Sequence, residues 1–475
     1  MKLKLYIFLL LALPALISCK KYFEVDNSDR QTIPNTFSTI EGFRASINGT
    51  YAKMYNYYLN SFYLYPEVAG NMVDLVKTGN GTMKPQHDFL SDPEEEVGAV
   101  GYIWRYAFET IANANNILEY APAFIEKNPA SKAETELIQA QALFVRALSH
   151  FDLCRVYAQP YNYTADASHL GVPVVLINPA PEDPVARQTV KVVYAQIIKD
   201  LKDAETLFGN SAAANPYVAS KKAVQALLAR VYLYAEDWDN AITYSTEVIN
   251  NSVLAYKEQY SAMFNNLIPG VEAIFRLSGQ DKTDKRLGRV YAVNDPTYVP
   301  ADTLMKLFND PSDIRLGLFQ ANPANPARYL TRKWTIGVTY TPNNERYDPM
   351  VLRASEMYLI RAEAYAGKNR LTDCAADLKI IIARALDKQP ADIILESDNK
   401  ELLLKRIATE RAKEFCFEGH NLFDIVRTKK SLVRGVTTTS ATKTVNYPSD
   451  YFVLPIPQSE MDANAAMVGN PTVNN

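Results

Sequence analysis

The chain has 475 residues, 48% hydrophobic and 22% charged, with 18 Gly and 26 Pro; this balance excludes disorder and collagen-like repetition and allows up to about three units of roughly 150 residues. Lys plus Arg number 50 against 53 Asp plus Glu, a net charge of -3 without a basic stripe, so nucleic acid is not an expected partner. Tyr outnumbers Phe and Trp, 30 against 19 and 3, a bias toward rings that keep a polar handle at wet surfaces.

Met1 to Cys19 reads as an export signal: Lys2 and Lys4, an apolar run from Leu5 to Ile17, then Ser18 and Cys19. The run is shorter than the roughly 20 residues that carry a helix across a bilayer. Leu16-Ile17-Ser18-Cys19 resembles a bacterial lipobox, which predicts removal of residues 1–18 and acylation of Cys19. An ordinary cleaved secretory signal is the plainer reading, but it does not ask for a Cys at the cleavage point. Two or more acyl chains on Cys19 hold an otherwise water-facing body on a membrane.

Asp74 falls on an expected loop after the first helical segment. Asp92 to Glu96, DPEEE, lacks the alternating ligands and turn Gly of a calcium loop and reads as a solvated loop. From Ala133 to Tyr157, the residues Leu137, Ala140, Phe144, Ala147, Phe151 and Cys154 recur at helical spacing, and Ser131 with Glu134 forms a capping-box pattern before them. Similar stripes run through Val224, Leu227, Val231 and Tyr234, through Ala241, Tyr244 and Val248, and through Leu371, Cys374, Leu378, Ile381 and Ala385.

Arg230-x-x-x-Tyr234-Ala235 recurs 131 residues later as Arg361-x-x-x-Tyr365-Ala366, and Arg146-x-x-x-His150-Phe151 is a weaker third copy. Helix–turn–helix units of this kind look like tetratricopeptide-type pairs. The predicted fold is therefore predominantly all-α: one domain over 19–475, with helix pairs over about 41–250 and 351–430. Residues 255–350 differ, with eight Pro and eight Asn and no sustained 3.6 period. They are expected to form loops with short strands such as Glu272 to Leu277, and to supply a ligand side. Residues 445–475 read as an extended, Pro-limited close.

Glu410, Glu414 and Glu418 fall on one helical face near Arg406, Arg411 and Lys413. Ion pairs joining helices are expected there rather than acid–base work, and Arg230 and Arg361 are read as packing residues. Cys154, Cys374 and Cys416 are an odd set without C-x-x-C spacing, and His87, His150, His169 and His420 are scattered; the expectation is buried thiols, no disulfide framework, no metal and no cofactor. No short enzyme motif is present, though a two-carboxylate glycosidase has none to find.

Several segments together resemble the SusD/RagB family of nutrient-binding lipoproteins, over nearly the whole mature chain. They are Trp104 with Ala114-Asn115, Arg146-Ala147, Asp313-x-Arg315, Lys333-Trp334, and Arg353-x-x-Glu356 leading to Ala362-Glu363-Ala364. The most specific is Glu410-Arg411-x-x-Glu414-x-x-Phe417-Glu418-Gly419 followed by Asp424-Ile425-Val426-Arg427; Leu454-Pro455-Ile456-Pro457, Glu460, Asn464 and Asn470-Pro471 resemble the family's close. The chain departs at His420 and Asn421, where the family more often has a basic or aromatic residue. The resemblance implies a tetratricopeptide-like body, lipid-anchored at the outer-membrane surface. It also implies a glycan ligand and a SusC-like TonB-dependent transporter as partner. On that reading Tyr291, Tyr298, Trp334 and Tyr340 are candidates to stack on sugar rings, with Asp74 as a hydrogen-bond acceptor. A surface glycan hydrolase and a helical-repeat protein-binding adaptor are the alternatives.

Overall fold

The computed structural model describes residues 32–77, 82–180, 182–211, 215–265, 270–279, 286–291, 295–323, 325–334, 348–395 and 399–471. Long helices dominate: α1 Ile40–Tyr57, α2 Ala99–Lys127, α3 Lys132–Tyr157, α4 Val190–Phe208, α5 Lys221–Tyr234, α6 Trp238–Asn250, α7 Ala354–Gly367, α8 Leu371–Leu386, α9 Lys400–Phe415 and the short α10 Asn421–Arg427. Side chains of Thr39, Thr189, Ser220, Asp237 and Asn399 accept backbone N–H bonds at the starts of α1, α4, α5, α6 and α9, satisfying donors that a helix leaves unpaired.

Successive helices from α1 to α8 pack on one another, and α1, α3, α5 and α7 also touch in turn. This is a stack of four helix pairs with one member of each pair on the inner side, as tetratricopeptide-like packing requires. α3 is the centre: every residue from Ala142 to Cys154 is buried. Its predicted cap is not used. The chain enters through a 3-10 turn at Pro129–Ser131, with no side-chain bond from Ser131, and Glu134 instead binds the Arg44 guanidinium of α1 at 2.6 and 2.7 Å.

The three repeated arginines join helices, as the repeat suggested. Arg146 of α3 makes two 2.8 Å bonds to Asp200 of α4, and Arg361 of α7 two 2.7 Å bonds to Asp377 of α8. Arg230 of α5 crosses to the next pair instead, with two 2.6 Å bonds to Glu356 of α7. The 131-residue shift accounts for the difference: it lays Thr246 of α6 on Asp377, so Arg230 meets no carboxylate at the position that serves Arg361.

The insertion between α6 and α7 carries short antiparallel ladders. β1 Val73–Leu75 pairs with β3 Tyr298–Pro300, β2 Ala273–Arg276 with β6 Met350–Arg353, and β4 Phe319–Asn322 with β5 Asn325–Thr331. β7 Leu432–Val433 pairs with β8 Thr444–Val445. The closing segment lies against α3, where Leu454 N donates to Val156 O at 2.9 Å. The three cysteines are buried and unbridged.

Candidate functional site

Asp74 lies on β1 opposite Val299, not on a loop, and is 4% exposed. Burial pushes its carboxyl up, a hydrogen bond from Thr437 opposes the rise, and Asp302 adds to it. Tyr291 and Tyr298 are each 1% exposed, with rings 5.7 Å apart; Tyr298 Oη accepts from Met83 N at 3.0 Å. Trp334 is 5% exposed and meets Tyr63 edge-on at 5.4 Å. These three rings belong to the main apolar core. The expectation that they present open stacking faces is therefore corrected: β1 and β3 are buried along their length, so rings on or beside them turn inward. Cys19 and Tyr340 lie outside the described residues. Above the strands, Lys77 and Asp295 meet at 2.5 Å, tying the segment that leaves β1 to the one that enters β3.

The carboxylates of α9 and Glu418 form a buried ionic block; the helix ends at Phe415, so Glu418 stands in the turn after it and not on the helical face expected for it. Glu410 accepts from Arg315 at 2.8 Å; Glu414 accepts from Arg353 and Arg384 at 2.6 Å each; Glu418 accepts from Lys333 at 2.7 Å and Arg353 at 3.0 Å. Burial alone would raise the Glu414 carboxyl, but Arg384, Arg353 and Arg315 outweigh it and hold it well below the usual range. Glu410 and Glu414, both held low by neighbouring cations against the effect of burial, have no proton to give near neutral pH. They bind α9 to α8, β6 and the turn at Ile314–Leu318.

On its other side α9 faces a cleft of about 720 Å³, closed by α10, the α5–α6 turn and the end of α7. The sequence reading did not anticipate it. Trp238 opens α6 after a turn in which Glu236 has φ +57°, and its half-buried indole lines the cleft. Gly367, the last residue of α7, makes room for it: a Cβ there would lie 2.6 Å from the indole. The repeat register held a hint, since it sets Gly367 against Glu236. Leu402, Ile407, Phe415 and Ile425 supply apolar wall.

The cleft floor is ionic. Arg427 binds Glu363 through both terminal nitrogens at 2.6 and 2.9 Å, and Asp424 accepts from Arg411 Nε and Arg427 Nε at 2.8 Å each. Burial would raise the Asp424 carboxyl, but Arg411 and Arg427 hold it below its ordinary value. His420 is pushed well below its ordinary value, first by burial and then by Arg230, Arg411, Arg155 and Arg353, so its imidazole is neutral. His420 and Asn421, where the chain departs from the family it resembles, both line this cleft.

Comparison with known proteins agrees with the architecture. A family model described as starch-binding, associating with outer membrane, matches residues 21–233, and the SusD family model matches residues 320–472. A SusD-like protein of Formosa agariphila is 21% identical, covering 97% of this chain and 94% of its own length. A SusD superfamily protein of Bacteroides thetaiotaomicron superposes with a TM-score of 0.81 at 24% identity, covering 91% of this chain and 100% of that one. A crystal structure of a putative sugar binding protein from Bacteroides vulgatus gives 0.79 at 23%, over 91% and 98%. With SusD family models matching residues 21–233 and 320–472, together more than half of the chain, the protein belongs to the SusD/RagB family.

Proposed function

We propose that this protein is a non-enzymatic, lipid-anchored surface protein of the outer membrane. It captures an oligosaccharide and passes it to a SusC-like TonB-dependent transporter. The cleft beside α9 is the observation that carries the binding part of this reading. Its volume falls within the range of small-ligand sites, and it combines apolar wall with a few convergent polar groups. The indole of Trp238 offers a flat apolar surface for a pyranose ring, and Asn421, Asp424 and Arg411 lie within the same concavity to orient hydroxyls.

The same geometry argues against hydrolysis. Glycoside cleavage asks for one protonated carboxyl and one free carboxylate across the scissile bond. Both floor carboxylates, Glu363 and Asp424, are bound to arginine. Family membership supports the carbohydrate ligand and outer-membrane association, and the lipobox at Cys19 supports the anchor. Tyr340 is kept as a proposed ligand contact, whereas Asp74, Tyr291, Tyr298 and Trp334 are assigned to supporting the loop side from beneath.

Calorimetric titration of the mature protein with a panel of oligosaccharides, with product analysis of each mixture, tests the reading. Saturable binding without product is expected. Trp238→Ala should weaken it roughly tenfold or more, equivalent to about 1.4 kcal/mol. Turnover of any glycan, or unchanged affinity in that variant while its thermal unfolding stays normal, overturns the proposal.

A further inference from the structure

We infer that the saccharide held in this cleft carries an oxyanion on its leading sugar, a carboxylate or a sulfate, and that Arg411 and His420 receive it. The inference rests on the reading of the cleft as the glycan site and concerns the class of glycan. It starts from a contrast between two arginines on one floor. Arg427 is fully engaged, with Nε on Asp424 and both terminal nitrogens on Glu363. Arg411 is 2% exposed and donates from Nε to Asp424, yet its Nη1 has no partner. The ring of Phe415 lies 5.2 Å from its guanidinium carbon, which fixes the plane in which that donor points.

A charged donor left unmade in a buried setting is costly, and native structures rarely keep one without a use. His420 offers a second unpartnered nitrogen against the same Phe415 ring. It is 8% exposed, its Nδ1 is buried without a partner, and its ring lies 4.9 Å from that of Phe415. Both side chains line the same cleft. Burial, with the guanidinium groups of Arg230, Arg411, Arg155 and Arg353, keeps the imidazole uncharged. The rim carries a small excess of positive charge: exposed Lys400, Lys405 and Lys430 outnumber exposed Glu236 and Glu401. A hydroxyl can accept from Arg411 Nη1. A carboxylate or sulfate can accept there too, and from the imidazole in the tautomer that carries its proton on Nδ1, and it meets the guanidinium with the right sign.

The test uses the full mature protein and four probes: an oligogalacturonide, its methyl ester, a sulfated galactan oligosaccharide and the desulfated form of the latter. One anionic probe should bind at least tenfold tighter than its uncharged counterpart at low salt, and the gap should narrow as salt is raised. Which anion wins identifies the source of the oxyanion. This comparison needs no variant, so it stands even if Arg411→Gln, which disturbs the bond to Asp424, fails to fold. His420→Phe should also narrow the gap. Equal affinity for charged and uncharged members of both pairs overturns the inference and leaves the cleft reading intact. Binding of every probe unchanged by Trp238→Ala overturns the cleft reading, and the inference with it.

Discussion

Glu67 shows how much a single buried atom can set. It is fully buried in the short helix Tyr65–Val68; its Oε1 accepts from Gly419 N at 2.9 Å and His420 N at 3.1 Å, and its Oε2 has no partner. Burial pushes its carboxyl up to about 7 although the backbone around Phe417, His420 and Gly419 opposes the rise. A folded value above the unfolded one means a stabilising contribution that is complete below about pH 4.5 and is lost as pH rises through about 7. At 1.36 kcal/mol per unit, the loss between pH 5.5 and pH 8.5 is about 2 kcal/mol. Glu67→Gln should therefore gain about 2 kcal/mol relative to the native protein over that interval, read from urea unfolding at the two pH values. A difference that does not change with pH would sink this account. Nothing in the sequence marked Glu67, because its partners are about 350 positions away. His420 and Asn421 were legible only as departures from a family pattern; that they share a cleft with Trp238 and Gly367 is a fact of tertiary packing.

Among elements, the helices were legible and the ladders were not. α3, α5 and α8 declare themselves through apolar residues at helical spacing, and those stripes are buried almost throughout. β1 and β3 are three residues each and buried on both faces, so they lack the alternation that identifies a strand. That is why Asp74 read as a loop residue and Tyr298 as an exposed ring. The carboxylates of α9 were legible as ion-pairing groups from their four-residue spacing, although their partners Arg315, Arg353 and Arg384 come from three other segments. Removing one charge from such a buried set leaves the others uncompensated. Glu414→Gln should cost about 3–5 kcal/mol in chemical denaturation, because both Arg353 and Arg384 lose their 2.6 Å partner. Glu401→Gln, on the exposed face of the same helix, should stay within about 0.5 kcal/mol. Similar costs for the two variants would mean that the block does not hold α9 in place.

At the scale of the molecule, the proposed function assigns stability and attachment to separate parts. The stack of helix pairs, the ionic block and the closing segment against α3 are joined by buried ion pairs and backbone bonds, and none of the described helices is long and apolar enough to cross a membrane. The proposed lipobox at Cys19 precedes α1, which begins at Ile40, so no element of the helix stack includes Cys19. Replacing that thiol should then change where the protein is found without changing how it folds. In Cys19→Ala, labelled palmitate should no longer be incorporated and the protein should leave the outer-membrane fraction, since the anchoring free energy comes from buried methylene groups at about 0.8 kcal/mol each. Its thermal unfolding, measured on the purified chain, should match that of the native protein within error. Co-purification with a TonB-dependent barrel separates two sources of retention. If the variant stays in the envelope bound to the barrel, the interface between proteins suffices to hold it. If it stays there with no barrel attached and no lipid, the assignment of Cys19 as the anchor is wrong.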